Sequence, residues 1–140
     1  MTTPDITLNS GTTIPQLGLG VWQADNEETE SAVRFALDEA GYRHIDTAAA
    51  YGNEEGVGRG LASSSVPRED IFLTTKLWNS DQGYDRALAA FDESLTRLGT
   101  DYVDLYLIHW PLQDNDRLLR TWEALEKIAE SGKAKAIGVC

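Results

Sequence analysis

The stretch Asp70-Ile-Phe-Leu-Thr-Thr-Lys76 is a short apolar run that closes on a cation. It is followed by Tyr84 to Leu98, where Ala87, Leu88, Phe91, Leu95 and Leu98 recur at helical spacing, and then by a second apolar run, Tyr102-Val-Asp-Leu-Tyr-Leu-Ile108. Strand, amphipathic helix, strand is the signature of a βαβ unit, in which the helix carries the chain back so that the two strands lie parallel. The same alternation extends in both directions. Upstream, Gln16-Leu-Gly-Leu-Gly-Val21 and Arg43-His-Ile-Asp46 read as strands. Helices are predicted over Asn26 to Ala40 (Ala32, Val33, Phe35, Ala36, Ala40), ending at Gly41, and over Glu54 to Leu61. Downstream, Asp116 to Glu130 (Leu119, Trp122, Leu125, Ile128, Ala129) predicts a fourth helix and Lys135-Ala-Ile-Gly-Val139 a fifth strand. Four alternations and one further strand define an α/β fold with a parallel sheet, its strands expected to be buried on both faces. Ile6 to Ile14 stands apart as a β-hairpin turning at Asn9-Ser10-Gly11. With no linker, charge block or repeat, residues 1–140 are expected to form a single domain.

The composition narrows the function. The 140 residues are 41% hydrophobic and 25% charged, which suits one globular core. Lys+Arg 12 against Asp+Glu 23 gives a net charge of −11, a field that repels phosphate backbones and anionic lipid; neither nucleic acid nor a membrane surface is an expected partner. The single cysteine, Cys140, offers no internal disulfide and no thiolate cluster for a metal, so no metal is expected and a reducing cytoplasm is. Met1-Thr-Thr-Pro-Asp5 has neither a basic nor an apolar leader region. No run approaches the ~18 apolar residues that span a bilayer, so neither export nor insertion is expected.

An open doubly wound sheet and a closed barrel both satisfy the alternation. A phosphate fingerprint would favour the former, but Gly18-Leu-Gly-Val-Trp-Gln23 lacks the third glycine of G-x-G-x-x-G, and there is no G-x-x-x-x-G-K-[ST] loop. Parallel sheets bind ligands at the carboxyl ends of their strands. Asp46, Tyr51, Lys76 and His109 all fall at or just past such ends. Lys76 lies 30 residues after Asp46 and His109 lies 33 after Lys76, about one βα unit each, so successive strands would deliver them to one rim. There they form an acid/base set: an ammonium beside a phenol favours its ionised form and eases proton donation, a carboxylate orients the ammonium, and an imidazole can hydrogen-bond the same reacting oxygen. Each residue alone also has an ordinary reading, the Asp as a helix cap, the Tyr as packing, the Lys as a solvated cation and the His as a core residue. His44 reads as structural and Trp122 as core, and Glu27, Glu28, Glu30, Glu54 and Glu55 read as solvated helix N-termini favoured by the macrodipole.

Gly41-Tyr-Arg-His-Ile-Asp-Thr-Ala48, with Tyr51-Gly-Asn-Glu54 and Val57-Gly58, resembles the first signature of the aldo-keto reductase family. Phe72-Leu-Thr-Thr-Lys-Leu-Trp78, Asp101 to Pro111 and Gly132 to Val139 resemble its later blocks, in order. The resemblance implies a parallel (β/α)8 barrel closed at its bottom by a hairpin, and NADPH-dependent reduction of an aldehyde or ketone to an alcohol. It implies Asp46, Tyr51, Lys76 and His109 as the catalytic tetrad, with Tyr51 as the proton donor. By the same resemblance Gly20, Val21, Trp22, Asp46 and Cys140 border the cofactor. Trp22, Ala50, Trp78, His109 and Trp110 line the pocket for a small-molecule carbonyl substrate, where the short Ala50 leaves room. Cys140 stands where the family most often has Ser, a better hydrogen-bonding group.

A full barrel takes about 250 residues, so the hairpin, four βα units and fifth strand are expected to be the N-terminal part of one barrel domain. In the family, the basic loop for the adenosine 2′-phosphate lies in the other half. On this reading the chemistry belongs to an intact, monomeric barrel. The alternative is a half-barrel without turnover that covers its open strand edges by self-association or serves as a regulatory binding module.

Overall fold

The computed structural model describes residues 4–140; the opening Met1-Thr-Thr lies outside the described residues. Strands β1 (Asp5–Thr7) and β2 (Thr13–Pro15) pair antiparallel with Ile6 opposite Ile14. The turn between them is closed by Leu8 N–H donating to Thr12 O at 2.8 Å, and Gly11 adopts φ 84°, where a side chain would be strained. The expected hairpin is present. Next come β3 (Leu19–Gly20), α1 (Asn26–Asp38), β4 (His44–Asp46), α2 (Glu54–Ser63), β5 (Phe72–Leu77), α3 (Tyr84–Leu98), β6 (Val103–Ile108), α4 (Asn115–Glu130) and β7 (Ala134–Val139).

Strands β3 to β7 form one parallel sheet in sequential order. A doubly wound sheet would reverse its order at a switch point, and this one does not. Each helix packs on the next, α1 on α2, α2 on α3 and α3 on α4, so all four cover one face of the sheet. That is the arrangement of a (β/α)8 barrel wall, of which the chain supplies the hairpin, four βα units and the fifth strand.

Alternation along the strands assigns the faces. Tyr106 packs its ring 4.7 Å from Phe91 of α3, and Thr75 bonds to α2, so these residues look outward under the helices. Burial pushes the Tyr106 phenol far above its usual range, which keeps it neutral. His44, Phe72, Thr74 and Lys76 share the inward face: His44 Nε2 lies 3.1 Å from Thr74 Oγ1 and its ring edges Phe72 at 5.1 Å, a structural role as expected. At the amino end, Arg68 lies 4.1 Å over the Tyr102 ring and, with Lys135, pairs with buried Asp104.

Helix α2 owes its close packing to three glycines. A Cβ on Gly56 would collide with the Asn26 carbonyl of α1, one on Gly60 would stand 2.7 Å from Val33 Cβ, and one on Gly58 would stand 2.6 Å from Leu98 O.

Several expectations need correction. The first strand shrinks to Leu19–Gly20, and α1 ends at Asp38, leaving Ala40 exposed. Phe35 is 63% and Leu119 62% exposed. Each lies about 200° around its helix from the buried line, Val33-Ala36-Leu37 in α1 and Thr121-Ala124-Leu125-Ile128 in α4. Trp122, about 100° from that line, is half-buried at the core edge and donates Nε1–H to Glu126 Oε1 at 3.1 Å. Burial on both faces holds throughout β5 only; Leu105, Leu107 and Ile137 are half-buried. Glu54 is not solvated but 1% exposed, bonded between Thr75 of β5 and Arg97 of α3.

Candidate active site

Strand register brings the four residues to one rim. Gly20 pairs with Asp46, and Asp46 with Thr74; two residues on is Lys76, which pairs with Leu107; two further is His109. Leu107 pairs with Gly138, and two residues on is Cys140. A step of two preserves the face, so these side chains emerge from the same surface while climbing from strand to strand, the stagger that barrel closure requires. Tyr51 arrives differently. It ends a single 3-10 turn, Ala49–Tyr51, that follows β4 and is terminated by Gly52 at φ 68°.

Lys76 is 6% exposed, yet each proton of its ammonium has a partner. Nζ donates to Asp46 Oδ1 at 2.5 Å, to Thr47 O at 3.0 Å and to Tyr51 Oη at 3.3 Å. Asp46 keeps a third of its side chain in solvent. The His109 ring stands edge-on to Tyr51 at 5.7 Å and to Trp78 at 5.3 Å. Burial pushes the imidazole below its ordinary range; the Lys76 charge adds to this and Asp46 opposes it. The ring is therefore neutral at neutral pH and carries one N–H. Nδ1 is buried without a partner, so we assign the proton to Nε2.

Above these groups lies a cavity of about 450 Å³ lined by Trp22, Ala50, Tyr51, Trp78, His109 and Trp110. All the residues expected at the pocket are thus gathered there. Trp22 and Trp110 are 68% and 61% exposed, so they form a rim, while Trp78 is half-buried. Among those expected to border a cofactor, Gly20 is exposed, and nothing lies within 4 Å of where its Cβ would stand. Val21 is buried, with its N–H given to Asp46 O and its carbonyl accepting from Asn53 and Ala24, so it contributes packing rather than a free backbone group. Cys140 is exposed, its Sγ 3.0 Å from His109 O, and burial pushes its thiol up while Lys76 opposes.

Two residues at the site and one behind it have roles that the sequence did not signal. Thr47 supplies a carbonyl to Lys76, Asn53 bridges Thr47 to the carbonyls of Val21 and Ala24 on either side of Trp22, and Glu54, on the outer face of the sheet, anchors α2 to Thr75 of β5. Asn and Glu opening a helix ordinarily signal capping and solvation, so the sequence carried no separate sign of them.

Among the described residues no group of His, Cys, Asp and Glu could hold a metal, and no helix is long and apolar enough to cross a membrane. A model of the aldo/keto reductase family matches residues 15–140. An aldo-keto reductase of Mycolicibacterium smegmatis is 62% identical over 136 residues, 97% of this chain and 49% of its own length. The crystal structure of an aldo/keto reductase from Brucella melitensis is 62% identical, with TM-score 0.95 over 99% of this chain and 54% of that one. That of a Bombyx mori aldo-keto reductase in complex with NADP is 43% identical, with TM-score 0.90 over 99% and 50%. The chain spans about half the length of the curated relatives it matches.

Proposed function

The chain belongs to the aldo-keto reductase family, and from that premise we propose that the protein containing it reduces an aldehyde or ketone to an alcohol with NADPH, Tyr51 acting as general acid. The observation that carries this reading is the Lys76 ammonium held between Asp46 and the Tyr51 hydroxyl beneath an aromatic cavity. When bound, NADPH supplies the hydride that the carbonyl carbon receives. The open strand end at Gly20, opposite Asp46, suits the approach of a flat ring, and the NADP complex of the Bombyx mori relative supports the cofactor assignment. Gly20, Trp22, Asp46 and Cys140 are the residues of this chain that would hold it.

Tyr51 Oη gives its proton to the substrate oxygen as negative charge develops there. The phenolate left behind faces Lys76 Nζ, whose charge stabilises it; Asp46 and the Thr47 carbonyl keep that ammonium in place. Neutral His109 offers Nε2–H as a second donor to the same oxygen. The aromatic side chains around the cavity put apolar surface beside these groups in place of solvent, which strengthens each of these interactions. On the same premise residues 1–140 are the N-terminal part of a single barrel domain, monomeric when whole and cytoplasmic, as one cysteine and a net charge of −11 suit.

Oxidation of NADPH by the whole protein with a small aldehyde tests the reading. Tyr51→Phe should abolish most single-turnover reduction while leaving NADPH binding nearly intact, because the lost hydroxyl acts on charge present only in the transition state. No turnover with any aldehyde or ketone, or full turnover in Tyr51→Phe, would overturn it.

A further inference from the structure

Asn53 occupies the N-cap of α2, where an asparagine side chain ordinarily accepts from the first-turn amides, yet it makes no capping bond. The duty is met from another helix, since Gly56 N–H, three residues in, donates to Asn26 Oδ1 of α1 at 2.8 Å. The Asn53 amide is thereby free to act elsewhere. It is fully buried, and its Nδ2 donates to Val21 O at 2.7 Å and to Ala24 O at 3.0 Å, while its Oδ1 accepts from Thr47 Oγ1 at 2.8 Å.

Those partners belong to two parts of the site. Val21 and Ala24 are the ends of a tight turn, closed by Ala24 N–H donating to Val21 O at 3.3 Å, whose middle residues are Trp22 and Gln23. Gln23 is the one non-glycine with positive φ among the described residues, at 66°. A turn carrying that strain and a mostly exposed Trp22 needs an anchor, and the Asn53 amide holds both its ends. Thr47 is the other partner. Its backbone N–H is fixed by Thr74 O at 2.9 Å and its carbonyl receives Lys76 Nζ at 3.0 Å.

We propose that Asn53 is a positioning residue that sets the pocket wall and the Lys76 ammonium in register, gripping the Trp22 turn with its two N–H groups and Thr47 with its carbonyl oxygen. Only an amide of this length meets the demand for two donors and one acceptor. Its catalytic consequence rests on the carbonyl-reduction reading; the clamp itself does not.

The test uses the whole protein with 5-fluorotryptophan incorporated, the Trp22 fluorine signal being identified by its loss in Trp22→Phe. Asn53→Asp keeps the shape and the acceptor but turns a carboxylate on two carbonyls. It should move or broaden the Trp22 signal well below the melting temperature, leave the Trp122 signal in place, raise KM and lower kcat by about 10- to 100-fold, the scale of small misplacements at a reacting centre. Thr47→Val, which removes only the hydroxyl, should lower kcat and leave both KM and the Trp22 signal unchanged. In the unaltered protein the Asn53 side-chain amide protons should exchange slowly, a measurement that needs no variant to fold. Fast exchange, or an Asn53→Asp protein that melts lower but keeps its Trp22 signal and its kcat, would overturn the proposal. If the unaltered protein reduces no carbonyl compound, the function reading fails while the fluorine and exchange results still decide the clamp.

Discussion

Lys76 Nζ stands 3.3 Å from Tyr51 Oη although the two residues reach that point by different routes, Lys76 from the end of β5 and Tyr51 from a single 3-10 turn after β4. The link between the routes is the β4 end, because Asp46 and Thr47 both accept from the same ammonium. The phenol therefore meets a buried charge that is itself fully partnered.

Removing members of this set should have graded effects in the whole protein. Lys76→Met takes away the charge facing the phenol and should lower kcat by about 100-fold, the scale seen when one preorganised electrostatic donor is lost. Asp46→Asn leaves the ammonium bonded to Thr47 O and Tyr51 Oη and should cost about tenfold, the worth of one hydrogen bond. Steady-state kinetics decide the order; a larger loss in Asp46→Asn would show that Asp46 acts other than through Lys76.

Acid should weaken the fold through two histidines. Burial pushes both His44 and His109 below the ordinary imidazole range. As pH falls through about 6.5 the unfolded chain takes up protons that the folded chain refuses, so stability is full above that value and declines below it, levelling off once the folded pKa values are passed. Melting temperatures between pH 8 and pH 5 should fall on the acid side, and His44→Gln should remove part of that slope. An unchanged slope in His44→Gln would contradict the assignment.

Much of the site was legible because its residues follow strand arithmetic. Asp46, Lys76 and His109 are separated by one βα unit each, and the two-residue stagger between neighbouring strands holds them on one face. Apolar period was a coarser guide. Phe35 and Leu119 fit the helical count but lie on the far side of α1 and α4, since buried neighbours rather than spacing fix which stripe turns inward. Asn53 and Glu54 were illegible for another reason. Their residue types suit an exposed helix start, and only tertiary contact shows that Asn26 caps α2 in their place and that Thr75 and Arg97 enclose Glu54.

The glycines of α2 should resist replacement despite the helix preference for alanine. Gly56→Ala gains about 1 kcal/mol in propensity. It also drives a Cβ against the Asn26 backbone, which cannot swing aside as a side chain end would, at a cost of about 1–3 kcal/mol. Thermal or urea unfolding should show net destabilisation for Gly56→Ala and Gly60→Ala. A stabilised Gly56→Ala would mean that α1 and α2 separate freely.

The Glu54–Arg97 pair should be asymmetric. Glu54 is 1% exposed on its side chain and Arg97 35%, and their bond spans 2.7 Å. Arg97→Met strands a carboxylate in the interior with only Thr75 to bond it, which should cost about 3–5 kcal/mol. Glu54→Gln keeps an acceptor for Thr75 and leaves behind a guanidinium that can still reach water, so its cost should stay near 1 kcal/mol, the scale of one hydrogen bond. The double variant removes the stranded charge and should recover most of the Arg97→Met loss. Denaturant unfolding of the three proteins gives the coupling directly. Equal losses in the two single variants would show that the carboxylate is not buried as tightly as its contacts with Thr75 and Arg97 require.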